Sequence, residues 1–550
     1  MFHSLLTPPD VEPRRAVLPA ETVRDLGLEE LAHAIGRAGT GPSAVLRLLT
    51  ELPQDSREIE YRQSILRSLW EDQELCDKMR LLLQSMRELT VIGRTGSETE
   101  RPLMASIWRL SELELYVELV EQLGRLLAER HIESAGLRLL AIEIAGRASD
   151  PAFQELKGEL PRLREGLKLH RSVTIGINLD DKLRPVEAAL LSVNAKRYQQ
   201  GQFLSGFLRR AAGDEFLTQT PLHQNTTVDP FTMQRAERLP LSPLFEELDS
   251  VLKSMLKPLA RELRKYLGVN TALMRSLVPE LGFYIGAVDY FRFLKNAGYD
   301  VCFPTIADPD KRTTTFTALY NARLATRWAE TRGASQMIGN SVQMEEHARM
   351  YVLTGPNGGG KTTFTQAIGM ASVLGQAGLA VPAQAAVISP LDGIYTHFQT
   401  EENYEDEIGR FEDEARRLSA IFDAIGERSL VLLNEPLAST SPDEAEAINR
   451  SVLEALCIAG ARGLVTTHFH GLARSCSQIN ADTDGSSKLG TLSALTQLRH
   501  GKTERTFRIE EADPDGQSYT QEITRRYGLD SESLRSRITE RPEDDAAGAS

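Results

Sequence analysis

The sequence predicts an α-helical region followed by an α/β domain that is organised around a glycine-rich loop. Two observations lead to this prediction. From about residue 20 to 295, apolar residues recur at helical spacing and alternating β-branched runs are few. From residue 350 onward, short apolar runs that are typical of buried strands end in glycines or polar residues and precede helical segments. Such alternation is typical of a parallel sheet covered by helices.

One predicted helix has a single apolar seam. Its apolar residues follow one another at intervals of three and four, which places them on one helix face. They are Leu113, Tyr116, Val120, Leu123 and Leu127.

A second helix is predicted from Ser242-Pro243 to about Tyr266, because a capping serine precedes a first-turn proline. Pro258 should kink it. One face of this helix is basic and could follow a phosphate backbone, although a solvated helix face is the simpler interpretation. The basic residues are Lys253, Lys257, Arg261, Arg264 and Lys265.

Composition and charge narrow the class of protein. The 550 residues are 41% hydrophobic and 25% charged, as in ordinary globular proteins. No apolar run approaches the roughly 20 residues of a membrane span, so we expect a cytoplasmic protein without a membrane partner. Four cysteines without a CxxC pair argue against a zinc site or a disulfide framework. The net charge of −14 falls mainly on residues 351–550, and it says little about DNA binding by the first half.

The strongest signal is a phosphate-binding loop that satisfies GxxxxGK[ST] after a predicted strand, Met350 to Thr354. Its backbone N–H groups and the following helix would surround the phosphates of a nucleotide, and Lys361 would add a positive charge. Thr362 would offer its hydroxyl to Mg²⁺. The alternative is a chance glycine-rich turn. The expected nucleotide-binding residues are Gly355, Pro356, Asn357, Gly358, Gly359, Gly360, Lys361, Thr362 and Thr363.

Two further strands should end beside this loop. The apolar run from Ser429 ends in Asn434-Glu435, where nucleotide hydrolases place a magnesium-organising residue and a general base. We expect Asn434 to hold Mg²⁺ through water and Glu435 to polarise the attacking water. Asn357 could orient that water or the terminal phosphate. His468 follows a third strand and could sense the terminal phosphate, although a lone histidine is more often structural.

These motifs resemble the MutS family of DNA mismatch repair ATPases, whose loop reads GPNxGGK[ST]T. The resemblance is strong over about residues 340–540 and looser over 20–340. In the looser part, the segment 172–178, followed by helices, looks like the family's core and lever region. The other stretches that are similar to the family are Val381-Pro382-Ala383, Asp392-Gly393-Ile394-Tyr395-Thr396, Thr467-His468-Phe469-His470, Asp515-Gly516-Gln517-Ser518-Tyr519 and Tyr527-Gly528-Leu529.

The resemblance implies an α-helical core and lever region over 1–300 and an α/β P-loop (ABC-like) ATPase domain over 301–480, which begins at about 301–345. Residues 481–540 would complete that domain and add a small helical dimerisation unit, and 541–550 would form a disordered tail. The resemblance also implies a homodimer that clamps DNA, with two sites for ATP and Mg²⁺ completed across the interface. The protein would then be cytoplasmic and associated with the nucleoid. Whether a MutL-like partner binds is left open.

Three departures from the family pattern qualify this expectation. The family has Asp-Glu where this chain has Asn434-Glu435, so weaker magnesium binding and slow turnover are expected. Its signature serine is replaced by Gly409, and Arg410 either makes the lost contact to a partner's nucleotide or is a surface residue. The start of the chain is too short and too helical for the family's mismatch-reading domain. Duplex, mismatched or branched DNA would then be recognised by its form, and mismatch reading stays open.

Two functions are compatible with these residues. The first is a dimeric, ATP-gated DNA clamp that hydrolyses ATP and serves DNA repair or recombination. The second is a nucleotide-switched dimeric scaffold with negligible hydrolysis. Transporter ATPases and coiled-coil ATPases fit less well, because only 73 residues separate Lys361 from Asn434 and a long helical region precedes the loop.

Overall fold

A computed structural model of the chain shows two compact units. One comprises Met1–Gln84, Arg125–Glu143 and Ser276–Ser550, and the other comprises Ser85–Gly124 and Ile144–Arg275. The domain boundaries expected from the sequence stay predictions. The residues that the structure describes are 2–37, 41–98, 102–168, 172–179, 181, 185–194, 261–266, 268–331, 337–399, 410–437, 439–499, 502–512 and 531–539.

The N-terminal half of the described chain is mostly helical, which confirms the predicted helical region. Local signals set some of the helix starts: Pro42 occupies the first turn of its helix, and the Asp55 carboxylate caps another by accepting a hydrogen bond from the Arg57 N–H. No described helix is both long and apolar enough to cross a membrane. The helices are α1 (Ala20–Asp25), α2 (Leu28–Gly36), α3 (Pro42–Thr50), α4 (Ser56–Glu71), α5 (Gln73–Glu98), α6 (Pro102–Ala128), α7 (Ala135–Ser149), α8 (Pro151–Lys168) and α9 (Ala272–Asn296).

The predicted apolar seam lies on α6. Its five residues are each at most 4% exposed, as expected for one buried helix face. Tyr116 packs edge-on against Phe153 of α8, with ring centroids 6.0 Å apart. The prediction of this helix and of its buried side is therefore confirmed.

Two antiparallel strand pairs lie within the helical region. The strands β1 (Arg15–Val17) and β2 (Glu51–Pro53) pair across α1–α3, and β3 (Ser172–Leu179) and β4 (Pro185–Asn194) form a hairpin. The segment 172–178 forms strand β3, and the helices expected after it stay a prediction, because residues 195–260 lie outside the described part of the chain. β-branched residues alternate with others along β3, a period of two that favours pairing with a strand.

The second predicted helix lies outside the described residues up to residue 260, and this part includes the expected kink at Pro258. Residues 261–266 are helical and end in a 3₁₀ turn, Arg264–Tyr266. Its basic face as a whole therefore stays a prediction.

The α/β domain follows α9. Its strands are β5 (Thr305–Ile306), β6 (Thr314–Leu319), β7 (Asn340–Met344), β8 (Met350–Thr354), β9 (Ala385–Ile388), β10 (Ile394–His397), β11 (Leu430–Asn434), β12 (Arg462–Thr466), β13 (Leu489–Arg499) and β14 (Lys502–Glu511). Its helices are α10 (Ala322–Thr331), α11 (Lys361–Gln376), α12 (Arg410–Ala424), α13 (Pro442–Ala459), α14 (His470–Arg474), α15 (Cys476–Asp482) and α16 (Ser531–Thr539).

The larger sheet has six strands in the order β10-β11-β12-β8-β13-β14. The first five are parallel, and β14 is antiparallel to β13. Every residue of β8, β11 and β12 is buried, because helices cover both faces of a parallel sheet. The carboxyl ends of these strands meet at one edge, where the chain turns into loops. This mixed sheet confirms the predicted α/β domain.

The smaller sheet has the order β5-β9-β6-β7. Arg462 of β12 is fully buried and joins it to the larger sheet. Its guanidinium donates to the backbone carbonyls of Thr313 at 2.9 Å, Arg428 at 2.8 Å and Ser389 at 3.3 Å. Burial lowers the pKa of Arg462 to about 9. A buried guanidinium needs such carbonyls in place of water.

The short helix α1 is hydrogen-bonded to the α/β domain. The Asp25 carboxylate accepts from the Thr396 hydroxyl at 2.9 Å, and the Asp25 carbonyl accepts from the Gln366 amide of α11 at 2.9 Å. The Thr22 hydroxyl donates to the Ile394 carbonyl at 3.0 Å. This early segment therefore holds both β10 and α11.

The C-terminal part is described only over α16. The stretches 515–519 and 527–529 and the expected tail 541–550 lie outside the described residues. The small helical dimerisation unit stays a prediction.

Candidate functional site

The loop between β8 and α11 adopts a backbone that favours glycine. Gly355, Gly358 and Gly360 have φ angles of 133°, 70° and 94°, which side-chain-bearing residues rarely adopt. A Cβ on Gly355 would also lie 2.7 Å from the Ala494 Cβ of β13. Both the backbone angles and the crowding therefore explain why glycines occupy these positions.

Lys361 points back into the loop. Its Nζ donates to the carbonyls of Gly355 at 2.8 Å and Pro356 at 3.3 Å, and the Gly359 N–H also donates to Pro356 at 3.1 Å. Lys361 is only 5% exposed, and this burial lowers the pKa of its ammonium, while Glu435, 3.9 Å away, acts in the opposite direction. The loop thus contains a buried cation.

Asn434 ends β11 as an acceptor shared by two hydroxyls. Its Oδ1 accepts from the Thr362 Oγ1 at 3.0 Å and from the Thr466 Oγ1 at 2.9 Å. The residue is 8% exposed. The start of α11 and the ends of β11 and β12 are therefore joined at the sheet edge through a neutral amide. No carboxylate occupies position 434.

Glu435 and His468 form the second part of this cluster. The His468 Nε2 lies 2.6 Å from the Glu435 Oε1. The hydrogen bond from His468 lowers the pKa of Glu435, burial acts against that shift, and the charge of Lys361 adds to it. Glu435 has a left-handed φ of 53°, and its N–H donates to the Thr466 carbonyl at 3.0 Å. Such backbone strain is common where a side chain must take one particular direction.

The structure brings five predicted site residues together through contacts of 2.6–3.9 Å. They are Lys361, Thr362, Asn434, Glu435 and His468, and we call them the edge cluster. Asn357 lies exposed on the loop, and the carbonyl of Thr363 accepts from the Asn321 amide at 3.1 Å. The chemical role of every one of these residues stays a prediction. Thr466, which the sequence did not single out, holds both Asn434 and the backbone of Glu435.

The donor set fits Mg²⁺ that arrives with a nucleotide. The Thr362 hydroxyl and the Asn434 amide oxygen are hard oxygen ligands, which this ion prefers together with water and substrate phosphates. Within the described ranges, no group of three or more His, Cys, Asp or Glu side chains is arranged to hold a metal ion. The site therefore resembles a phosphate-dependent magnesium site more than a protein cage.

Two side chains of β14 lie against the loop, and no sequence pattern indicated them. A Cβ on Gly358 would be 2.6 Å from the Arg505 Nη1, and one on Gly360 would be 3.7 Å from the Phe507 Cδ1. Phe507 has a left-handed φ of 56°. We call these two residues the β14 pair.

A cavity of about 770 Å³ lies between β7 and β14, lined by residues 337–343 and 508–511. Asn340 joins its two walls: its Nδ2 donates to the Phe507 carbonyl at 3.0 Å, and its Oδ1 accepts from the Ile509 N–H at 2.8 Å. Charged side chains of Arg508, Glu510 and Glu511 line it beside Ile338, which is 40% exposed. The volume falls in the range of small-molecule sites.

The signature region is described in part. Phe411 is 40% exposed and Glu414 is buried, both on α12. Gly409 and the side chain of Arg410 lie outside the described part of the chain, so the suggested role of Arg410 stays untested.

Fold and site together define a class of protein in which a helical N-terminal region precedes an α/β domain. The mixed sheet of that domain carries a glycine-rich loop and a polar cluster at one edge. Comparison with known proteins assigns the chain to a family within this class. Residues 351–518 match the family described as MutS domain V, and residues 54–297 match the MutS2 N-terminal domain.

Individual relatives agree with these matches. Endonuclease MutS2 of Thermus thermophilus is 31% identical over 198 residues, which are 36% of this chain and 25% of the relative. Endonuclease MutS2 of Thermomicrobium roseum is 33% identical over 189 residues, 34% of this chain and 23% of the relative. The mitochondrial DNA mismatch repair protein MSH1 of Arabidopsis thaliana is 36% identical over 135 residues, 24% of this chain and 12% of the relative.

The chain belongs to the MutS family, as its loop and sheet-edge motifs suggested. The matched part spans a quarter or less of the length of each of these relatives.

Proposed function

We propose that this protein is an ATP-dependent DNA-binding protein of the MutS type, in which ATP binding and hydrolysis gate a dimeric clamp. The observation that carries the proposal is the edge cluster beside the glycine-rich loop, where Lys361, Thr362, Asn434, Glu435 and His468 are joined by short contacts. Membership of the MutS family supports a role in DNA repair or recombination.

Nucleotide binding would depend on the loop and on Lys361. Phosphate oxygens would replace the carbonyls of Gly355 and Pro356 as the acceptors of the Lys361 ammonium. The loop N–H groups and the start of α11 favour an anion at the same place.

Hydrolysis would depend on Glu435 and His468. Because its pKa is lowered, Glu435 is a carboxylate at neutral pH and can accept a hydrogen bond from water. His468 would fix the direction of that carboxylate, and Asn357 would orient the water or the terminal phosphate. Mg²⁺, held by Thr362 and through water by Asn434, would neutralise phosphate charge. Catalysis of phosphoryl transfer is mainly positioning and electrostatic stabilisation.

The second candidate is a nucleotide-switched dimeric scaffold with negligible hydrolysis. One observation favours it: the hydroxyls of Thr362 and Thr466 both donate to an uncharged amide, Asn434, where a carboxylate would attract Mg²⁺ more strongly. Binding and dimerisation could then switch states without rapid turnover.

DNA binding, dimerisation and a MutL-like partner belong to this proposal. Endonuclease activity is stated in the names of the MutS2 relatives, whose matched part is about a quarter of their length. We do not extend that activity to this chain. Recognition of DNA form would suit a clamp without base-reading elements.

The first experiment compares ATP turnover of the wild type with Glu435→Ala. We expect the variant to hydrolyse ATP at least about tenfold more slowly, because a positioned acid or base typically contributes more than that. Glu454→Ala on α13 is the matched control, since Glu454 pairs with Arg450 and lies outside the edge cluster. Equally low rates in the wild type and Glu435→Ala would favour the scaffold.

The second experiment tests the clamp. Binding to homoduplex, mismatched duplex and a four-way junction is measured across a salt series, with and without ATP. We expect ATP to change the affinity for at least one form. Equal, weak binding to all three forms, insensitive to ATP, would contradict a DNA clamp.

A further inference from the structure

The two sides of the glycine-rich loop carry different groups. In the six-stranded sheet, β11 lies two strands from β8 on one side, and β14 lies two strands from β8 on the other. Glu435 follows β11, and Arg505 belongs to β14. The loop that follows β8 is therefore flanked by a carboxylate on one side and by a guanidinium on the other.

Arg505 is directed at the loop itself. Its Nη1, Cζ and Nη2 lie 2.6, 2.9 and 3.2 Å from where a Cβ on Gly358 would be. Phe507, which lies in the register shift between Arg505 and Ile509, is 3.7 Å from where a Cβ on Gly360 would be. The backbone of Phe507 is held through its carbonyl by Asn340 of β7. The approach of Arg505 is therefore set by a braced strand.

We infer that Arg505 binds the phosphate chain of the nucleotide from the side opposite Glu435, where the leaving diphosphate gathers negative charge. This inference rests on the proposed function. In an in-line displacement, the attacking and leaving oxygens lie on opposite sides of the transferred phosphorus. A carboxylate that aligns water on one side thus requires the leaving group on the other, where the structure places a permanent cation.

The chemical step is balanced as follows. The water oxygen bonds to the γ-phosphorus while the bond to the bridging oxygen breaks, and the electron pair stays on the β-phosphate oxygen. The proton of the water ends on the released phosphate. Arg505 donates N–H groups to the diphosphate and so stabilises the charge formed there. Because the uncharged Asn434 attracts Mg²⁺ less strongly than a carboxylate would, Arg505 also adds positive charge that the site otherwise has less of.

The test measures dissociation constants for ATP, ADP and adenosine by calorimetry, with Mg²⁺ and with a chelator. For Arg505→Gln we expect the constants of ATP and ADP to rise about tenfold, which is about 1.4 kcal/mol, and that of adenosine to stay unchanged. The increase should persist with the chelator, because Arg505 acts on the phosphates directly. Arg505→Lys should lose less, since it keeps the charge but not the planar fork.

Arg450→Gln is the matched control, because Arg450 pairs with Glu454 and Asp482 on the surface of the same unit. Thermal unfolding shows whether each variant is folded, and Arg505→Lys serves if Arg505→Gln is not. Wild-type affinity of a folded Arg505→Gln variant for ATP and ADP would overturn the assignment, as would wild-type affinity of Arg505→Lys where only that variant folds. Absence of nucleotide binding by the wild type would overturn the proposed function itself, and the assignment with it.

Discussion

The edge cluster and the β14 pair lie on opposite sides of one loop, yet they are built differently. In the edge cluster, Asn434 and Glu435 are fixed by hydrogen bonds with Thr362, Thr466 and His468 at 2.6–3.2 Å. In the β14 pair, exposed side chains approach the loop from a strand whose backbone is braced.

This difference separates two kinds of contribution. A side chain removed from a connected, buried network leaves its partners unsatisfied, which costs about 1–3 kcal/mol for each buried group. A side chain removed from an exposed strand changes mainly what the strand offers to a ligand. Mutations of the buried edge-cluster residues Lys361 and Asn434 should therefore alter stability and chemistry together, whereas Arg505→Gln should alter nucleotide affinity with little effect on folding.

The largest effect is expected where the two sides meet, at Lys361. Lys361→Ala removes the cation that faces both the loop carbonyls and Glu435, so we expect ATP affinity to fall about 100-fold, or about 2.7 kcal/mol. Calorimetric titration with ATP measures it. Lys311→Ala, which removes an exposed lysine from a surface turn, is the control. A loss below threefold would show that Lys361 does not contact the phosphates.

The next effect is a loss of folding stability at low pH, caused by His397 at the end of β10, on the Glu435 side of the loop. His397 is 2% exposed, and burial, helped by Arg417, lowers its pKa from 6.5 to about 4, while Asp413 opposes this shift. Between these values the unfolded chain binds a proton that the folded chain excludes. Stability is therefore lost as pH falls below 6.5, by about 2 kcal/mol between pH 7.5 and 5.

Urea unfolding at pH 7.5 and 5 checks this expectation. His397→Gln removes the titrating group, so its loss of stability between the two pH values should be smaller than that of the wild type by about 2 kcal/mol. His131→Gln changes an exposed histidine and serves as control. Identical acid sensitivity of the wild type and His397→Gln would contradict a buried, neutral imidazole.

The smallest effect is expected from restoring a carboxylate to the edge cluster. Asn434→Asp keeps an acceptor for the hydroxyls of Thr362 and Thr466 and adds a charge beside the Mg²⁺ position. We expect the half-saturating Mg²⁺ concentration for ATP hydrolysis to fall about tenfold, about 1.4 kcal/mol. Asn434→Ala separates charge from hydrogen bonding, because it removes the acceptor altogether. An unchanged Mg²⁺ dependence in Asn434→Asp would show that this position does not act on the metal.

The same comparison shows what sequence reasoning can find. The edge cluster was predictable because Asn434, Glu435 and His468 each follow a continuous apolar strand, and parallel strands bring their carboxyl ends to one edge. Arg505 was not predictable. Its position depends on the antiparallel register of β13 and β14 and on the left-handed Phe507, and neither leaves a local pattern.

Periodicity also determined which elements of the helical region could be predicted from the sequence. The seam of α6 repeats over four turns and was recognised correctly, whereas the β3–β4 hairpin was missed because its period-two signal is short. The cavity beside β7 could not be found either, because residues 337–343 and 508–511 are far apart in the chain and belong to two different sheets that meet only in the folded protein.

The attachment of α1 has a consequence for synthesis of the chain. Thr22 and its acceptor, the carbonyl of Ile394, are 372 positions apart. A ribosome adding about 5–20 residues per second needs roughly 20–70 seconds to cover that distance. During this interval the newly made N-terminal helix has no β10 to dock on, so the polar groups of Thr22 and Asp25, which are buried in the folded chain, stay hydrated until the α/β domain emerges.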